Sequence, residues 1–290
     1  MNVIPPSLEV IHMAVKPIEK LTIMNDFLFS TIMRKEEFCK PLLEYILGVK
    51  IRKLVYVNQQ QEISVPIPDA KSVRLDVYVE DDKGTVYDLE VQTTDKRNLP
   101  PRTRLYQSLI DARAIEKGAD FKTLKKSFVI FICSYDPFHS DRMIYSFQNR
   151  CDEDPNVLLN DGAYKIFIYT KGTVGEISDE LKEVIRYMDT GVAASDYTKA
   201  LDAEVASVKS DEKWRLEYMT LMESFARERY QAKTELLISQ IRRAIGKLAS
   251  KQMAEFFGLP EENCEETIQM IQTHPDWDDE QIAEEVSWQA

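Results

Sequence analysis

The chain has 290 residues, 44% of them apolar and 30% charged, with a net charge of -12. That length suits one large domain or two ordinary ones, and the apolar content suffices for a sizeable core. No run approaches about 18 consecutive apolar residues, so no membrane-spanning helix is expected. The four cysteines (Cys39, Cys133, Cys151, Cys264) and three histidines (His12, His139, His274) show no metal-ligand spacing. A structural zinc site is therefore not expected, and the thiols read as reduced and mostly buried in a cytoplasmic protein.

Met1 to Lys20 carries Glu9 and Glu19 among scattered apolar residues, and no basic start precedes an apolar block. A secretory signal is not expected. From 21 to 47, Phe27, Leu28, Ile32, Met33, Phe38, Leu42, Leu43, Ile46 and Leu47 recur at three- and four-residue steps, which predicts helices. Asn25 or Asp26 is positioned to cap the first, and Gly48 to close the second. Ile51–Tyr56 and Gln60–Val65 are strand candidates, the second broken by Pro66 and Pro68.

A hairpin is predicted over 73–93, with Asp81-Asp82-Lys83-Gly84 as its turn. Alternation sets Leu75, Val77 and Val79 on one face and Asp76 on the other. On the second strand Tyr87, Leu89 and Val91 share a face, and Glu90 and Gln92 share the opposite one. Two carboxylates and an amide can thus converge on one side of a hairpin whose other side is apolar. Such a set suits a hard divalent cation, since magnesium prefers oxygen ligands from one or two carboxylates and keeps waters for chemistry. Asp76 and Glu90 are the candidate metal ligands, with the Val91 carbonyl as a further donor. Gln92 can hold an attacking water or a phosphate oxygen but cannot titrate. The chemistry indicated is phosphodiester hydrolysis, in which the ion lowers the pKa of a bound water and neutralises charge on the transferring group.

Pro100-Pro101 ends a loop, and Thr103 to Lys117 is predicted helical, with Leu105, Leu109, Ala112 and Ile115 on one stripe. Ser127–Cys133 is a continuous β-branched and aromatic run, as in a strand buried on both faces. Met143–Arg150 and Tyr164–Tyr169 are further strands. Beyond Gly175 the strand signal stops. Residues 177–189 and 199–256 read as helices, with Trp214, Met219, Met222 and Phe225 as a packing stripe, and 251–272 as a helical hairpin. The order of elements predicts an α/β fold in 1–175 and an acidic helical region in 176–290.

The charge is unevenly spread. Residues 1–175 hold 24 Lys+Arg and 24 Asp+Glu, whereas 176–290 hold 13 and 25, so the whole excess of -12 is C-terminal. Between Lys96 and Lys126 nine basic residues face three acidic ones, a local +6. A polyanion such as DNA could dock on this stripe.

Asn25-Asp26-Phe27-Leu28-Phe29, Arg74-Leu75-Asp76-Val77, Glu90-Val91-Gln92, Leu99-Pro100-Pro101-Arg102-x-Arg104-x-Tyr106-Gln107, Glu116-Lys117-Gly118 and Val129-Ile130-Phe131-Ile132-Cys133 occur in this order. Together, over about residues 20–175, they closely resemble the PD-(D/E)XK nuclease family transposases, also called recombination-promoting nucleases. The resemblance implies a restriction-endonuclease-like core, a central mixed sheet flanked by helices, with an α-helical C-terminal extension. It implies a Mg²⁺- or Mn²⁺-dependent DNA endonuclease linked to recombination or mobile elements. Asp76, Glu90 and Gln92 would be catalytic, and Arg102, Arg104, Tyr106 and Gln107 would bind substrate. Asp26 matches a recurrent acid whose simpler reading is a helix cap. Leu75 stands where the motif has Pro, a change of backbone shape alone. Gln92 stands where it has Lys and removes a charge. The alternative is a catalytically weak or inactive module on the same fold that binds DNA or protein. The acidic C-terminal helices would mediate self-association or, as a DNA mimic, cover the basic stripe.

Overall fold

A computed structural model describes residues 16–56, 62–63, 73–74, 76–115, 118–286 and 288. The chain divides into two compact units, Glu19–Asp211 and Met1–Ile18 with Glu212–Ala290.

The first unit contains α1 (Asp26–Met33), α2 (Glu36–Leu47), β1 (Leu54–Tyr56), β2 (Glu62–Ile63), β3 (Val73–Arg74), β4 (Val77–Asp81) and β5 (Val86–Gln92). These are followed by α3 (Leu99–Ala114), β6 (Ser127–Cys133), β7 (Ile144–Phe147), β8 (Ala163–Tyr169), α4 (Asp179–Thr190) and α5 (Asp196–Ser210). Six strands form one mixed sheet in the order β1-β4-β5-β6-β8-β7, and β2 and β3 pair separately. The β5–β6 and β6–β8 ladders are parallel, and β1–β4, β4–β5 and β7–β8 are antiparallel. With helices flanking this sheet, the fold is the restriction-endonuclease-like α/β architecture expected.

Helix α3 covers one face of the sheet, where Leu99, Tyr106, Leu109 and Ile110 pack against Val86, Val129, Phe131 and Phe167. Burying each such large side chain contributes about 1.5–3 kcal/mol. On the other face α1 packs on β5, α2 on α1, α4 on α2 and α5 on α1. Tyr197 of α5 donates its hydroxyl to the Phe38 carbonyl at 2.7 Å and sets its ring edge-on to Tyr45. Helices α4 and α5, assigned from sequence to the C-terminal region, therefore belong to the sheet unit, because their apolar faces complete its second layer.

Four local expectations change. The strand predicted from Arg74 through Val79 is interrupted at Asp76, a bend; Val73–Arg74 pairs with β2, and β4 starts at Val77. Helix α3 begins at Leu99 rather than Thr103, with Pro100 and Pro101 inside its first turn. Proline suits that position because the first helical N–H groups have no intrahelical acceptor. The buried stripe of α3 is Leu99, Thr103, Tyr106, Gln107, Leu109 and Ile110, and Leu105 is exposed. The predicted strand Gln60–Val65 appears as Glu62–Ile63, and its remainder lies outside the described residues.

The hairpin turn is fixed as its residues suggest. Gly84 takes φ 80, and the Asp81 carboxylate accepts from the Lys83 and Thr85 N–H groups at 2.9 and 2.8 Å and from the Tyr87 hydroxyl at 2.8 Å. Burial alone would raise the Asp81 pKa, but these hydrogen bonds outweigh it and hold the group below its ordinary value.

The second unit contains the long helix α6 (Glu212–Ala244) and the shorter α7 (Ser250–Phe257), α8 (Glu261–Thr273) and α9 (Asp279–Glu285). Its core gathers Ile238, Ile241, Met253, Cys264, Ile271, Ile282 and Trp288. The Trp288 indole donates to the Thr267 hydroxyl at 3.1 Å, and Arg242 binds Asp279 and the Trp277 carbonyl, each at 2.9 Å. The stripe expected at Trp214, Met219, Met222 and Phe225 is only partly covered, whereas Tyr218, Thr234, Ile238 and Ile241 are buried. No helix among the described residues is long and apolar enough to cross a membrane. All four cysteines are free, and Cys39, Cys133 and Cys264 are buried.

Candidate active site

The site lies where β4 begins and β5 ends, beneath the first two turns of α3. The break at Asp76 releases that residue's N–H from the strand ladder, and it donates instead to Glu90 Oε1 at 2.9 Å. Asp76 is half-buried and Glu90 is 0% exposed. After Gln92, the loop 93–98 turns back through Arg97, whose φ of 52 lies in the left-handed region; the Asp95 carboxylate accepts from the Arg97 N–H at 2.7 Å. This returns α3 over the strand it followed.

Arg102, one turn into α3, then reaches back to β5. Its Nη2 donates to Glu90 Oε2 at 2.7 Å, its Nη1 to Gln92 Oε1 at 2.6 Å and its Nε to the Tyr106 hydroxyl at 2.6 Å. The guanidinium carbon lies 5.1 Å from the Tyr106 ring centre and 5.0 Å from that of Phe131. Gln92 is held at its other end, where Nε2 donates to the Thr94 carbonyl at 2.8 Å. Asp76, Glu90, Gln92, Arg102 and Tyr106 are thus brought together.

Gln107 and Arg104 are not. Gln107 is buried one residue beyond Tyr106 and donates to the Ser127 hydroxyl at the start of β6, so it joins α3 to the far end of the sheet. Arg104 is exposed on the outer side of α3. The basic stripe likewise disperses. Lys125 pairs with Glu80 at 2.6 Å, and Lys126 sits over the Phe128 and Tyr164 rings at the opposite end of the strands from Gln92. The helix cap is Asn25, which accepts from the Phe27 and Leu28 N–H groups, and not Asp26. Burial raises the Asp26 pKa, and Arg102 and Lys96 act against that rise, which sets Asp26 within the field of the site.

Asp88 joins this group although its sequence position alone does not single it out. Asp88 shares the face of Glu90 and Gln92, is 0% exposed, and has neither carboxylate oxygen hydrogen-bonded among the described residues. The alternation that places Glu90 and Gln92 on this face places Asp88 there too. Burial, then the Asp76 charge, raises the Asp88 pKa well above the carboxylate range. Burial does the same to Glu90, followed by Asp76 and Asp88, with Arg102 opposing. Burial disfavours the charge on Arg102, but Glu90, Tyr106 and Asp76 more than offset it, so the guanidinium stays firmly protonated.

Burial and neighbouring carboxylates raise both Asp88 and Glu90, and acids crowded in this way make a place that favours a cation. Among the described residues no three His, Cys, Asp or Glu side chains converge into a ready-made metal cage. Two carboxylates are nevertheless enough for magnesium, which retains several waters. A carboxylate has about four lone-pair positions, so the two hydrogen bonds to Glu90 leave it coordinating capacity. The donor set is all oxygen, it holds a buried acid without a hydrogen-bond partner, and it fits a hard divalent ion.

No curated protein and no solved structure matches the chain. A family model described as PD-(D/E)XK nuclease family transposase matches residues 23–168, which span α1, the break at Asp76, β5, α3, β6 and most of β8. This chain belongs to the PD-(D/E)XK nuclease family transposases.

Proposed function

We propose that the protein is a metal-dependent DNA endonuclease that hydrolyses phosphodiester bonds, with magnesium or manganese held by Asp76 and Glu90. The observation that carries this reading is the hydrogen bond from the Asp76 N–H to Glu90 Oε1, beside a buried and unpartnered Asp88. When bound, the ion would activate a water and neutralise charge on the phosphoryl group. Asp76 and Glu90 would supply its oxygen ligands. Gln92, which carries no titratable proton, orients Arg102. Tyr106 fixes the guanidinium from the helix side, and its own pKa is raised by burial and by Glu90, so it remains a neutral hydroxyl. Lys96, Arg97 and the outer side of Arg102 offer positive charge to a DNA backbone at this end of the strands.

The test is nicking of supercoiled plasmid in Mg²⁺ or Mn²⁺. Wild-type protein is expected to cut, and Asp76→Ala to lose activity by at least about 100-fold, the scale for losing a group that stabilises the transition state. An Asp76→Ala protein as active as wild type would refute the assignment.

A non-catalytic DNA- or protein-binding module is the second reading. The observation favouring it is that Glu90 is buried beneath Arg102, with both its oxygens engaged within the chain. It requires salt-sensitive DNA binding that survives Asp76→Ala, with no turnover in any divalent ion.

A further inference from the structure

We propose that Arg102 is the resident cation of this site. From helix α3 it supplies the positive charge that the family motif carries as Lys two residues after the glutamate, the position this chain fills with Gln92. The inference deepens the nuclease reading and rests on Asp76 and Glu90 as the metal-holding acids.

Three observations carry it. The first is need. Glu90 is buried and stands beside two further acids, and a buried carboxylate is tolerated only when paired and hydrogen-bonded. Arg102 is the basic group that meets it, at 2.7 Å. The second is fixation. All three nitrogens of the guanidinium donate, to Glu90, Gln92 and Tyr106, while its plane lies near the Tyr106 and Phe131 rings. A planar fork with its donors fixed this way is pre-organised, which a flexible ammonium is not. Its side chain is still 28% exposed, so one side is open to an approaching phosphate.

The third is the match between Gln92 and Arg102. Gln92 Oε1 accepts from Nη1 at 2.6 Å. An ammonium in that position would meet the guanidinium at close range, and two like charges there repel. A neutral acceptor at 92 and a cation at 102 are therefore one device, and the charge has moved from the strand to the helix. Glu90 and Gln92 hold the guanidinium in place, and its open side is the one that meets the substrate phosphate.

The test is a double-mutant cycle on the full chain, with Arg102→Ala, Arg102→Lys, Gln92→Lys and the double Gln92→Lys/Arg102→Ala. Cleavage of a labelled duplex in Mn²⁺ and metal-free melting temperature are both read. Arg102→Ala is expected to lower kcat about 100-fold or more, with KM within about threefold, and to lower Tm by several degrees. Arg102→Lys should keep part of both. Gln92→Lys alone should lose in both, whereas the double variant should regain about tenfold or more in kcat over Arg102→Ala and recover part of its Tm. A merely structural clamp on Tyr106 would not be rescued by an ammonium on the strand. The inference is overturned if Arg102→Ala keeps wild-type kcat, if its loss lies wholly in KM, or if the double variant is no better than Arg102→Ala in either readout. Should the wild-type protein fail to cut DNA in any divalent ion, the nuclease reading falls, and the Tm cycle alone decides whether Arg102 and Gln92 form the charge pair.

Discussion

Strand β5 has two faces that are both buried and chemically opposite. Tyr87, Leu89 and Val91 face α1 and are covered by apolar neighbours, as sheet interiors usually are. Asp88, Glu90 and Gln92 face α3, and there two fully buried acids lie beneath a partly buried amide and guanidinium. The first face gains stability from burial. The second loses it, because desolvated charge costs several kcal/mol per ion unless matched. A strand that carries that cost on one side only, at the end where α3 begins, marks where the fold gives up stability for chemistry.

The sharpest way to break this contrast is to delete one residue from each face. Glu90→Ala leaves Arg102 without its counter-ion and is expected to cost about 3–5 kcal/mol in denaturant unfolding; Mn²⁺ affinity measured by calorimetry should vanish with it. Leu89→Ala leaves a cavity and costs about 2–5 kcal/mol, but its Mn²⁺ affinity should stay within about threefold of wild type. If both variants lose the ion equally, the two faces are not functionally distinct.

Asp88 sharpens the contrast in the opposite direction. Its pKa is raised in the folded chain by burial and by Asp76, so the folded state keeps a proton that the unfolded chain sheds. The stability tied to this group is greatest below the ordinary carboxylate pKa and falls as pH rises toward the raised value. Asp88→Asn should therefore stabilise the metal-free protein by about 1–2 kcal/mol at pH 8, with the gain shrinking as pH falls from the raised value toward the ordinary carboxylate pKa. A destabilised Asp88→Asn at pH 8 would show that the carboxylate is matched by a partner.

Smaller effects come from the supports. The Asp81 pKa is lowered by its turn hydrogen bonds, so its contribution is present above the unfolded value and disappears as pH drops through the lowered one. Asp81→Ala should cost about 1–2 kcal/mol at pH 7 and less in acid. Asn25→Ala should cost about 1 kcal/mol, and Asp26→Ala less, because Asn25 holds the cap.

Much of this was legible in sequence, for stated reasons. Period-2 alternation puts Glu90 and Gln92 on one face of β5, whereas Asp76 reaches Glu90 from a bend outside the strand, and the unbroken run at Ser127–Cys133 names the central strand. What was missed came from contacts that local pattern does not encode. Arg102 reaches Glu90 only because the loop turns at Arg97 and α3 starts at Leu99; reading Pro100-Pro101 as a loop end displaced the helix and its buried face. Leu105 enters the predicted stripe as an apolar residue and Gln107 enters the substrate contacts through the family resemblance, yet packing exposes the first and buries the second. The basic residues near Lys126 are close to Arg102 in sequence but belong to the other end of the sheet.

The central claim is that the acids at the β4–β5 junction hold a divalent ion. Anomalous diffraction from Mn²⁺-soaked crystals tests it most directly. The account predicts a single strong peak touching carboxylate oxygens of both Asp76 and Glu90, absent in crystals of Asp76→Ala. A fully soaked crystal with no peak there, or with Glu90 still covered and manganese bound elsewhere, would contradict it.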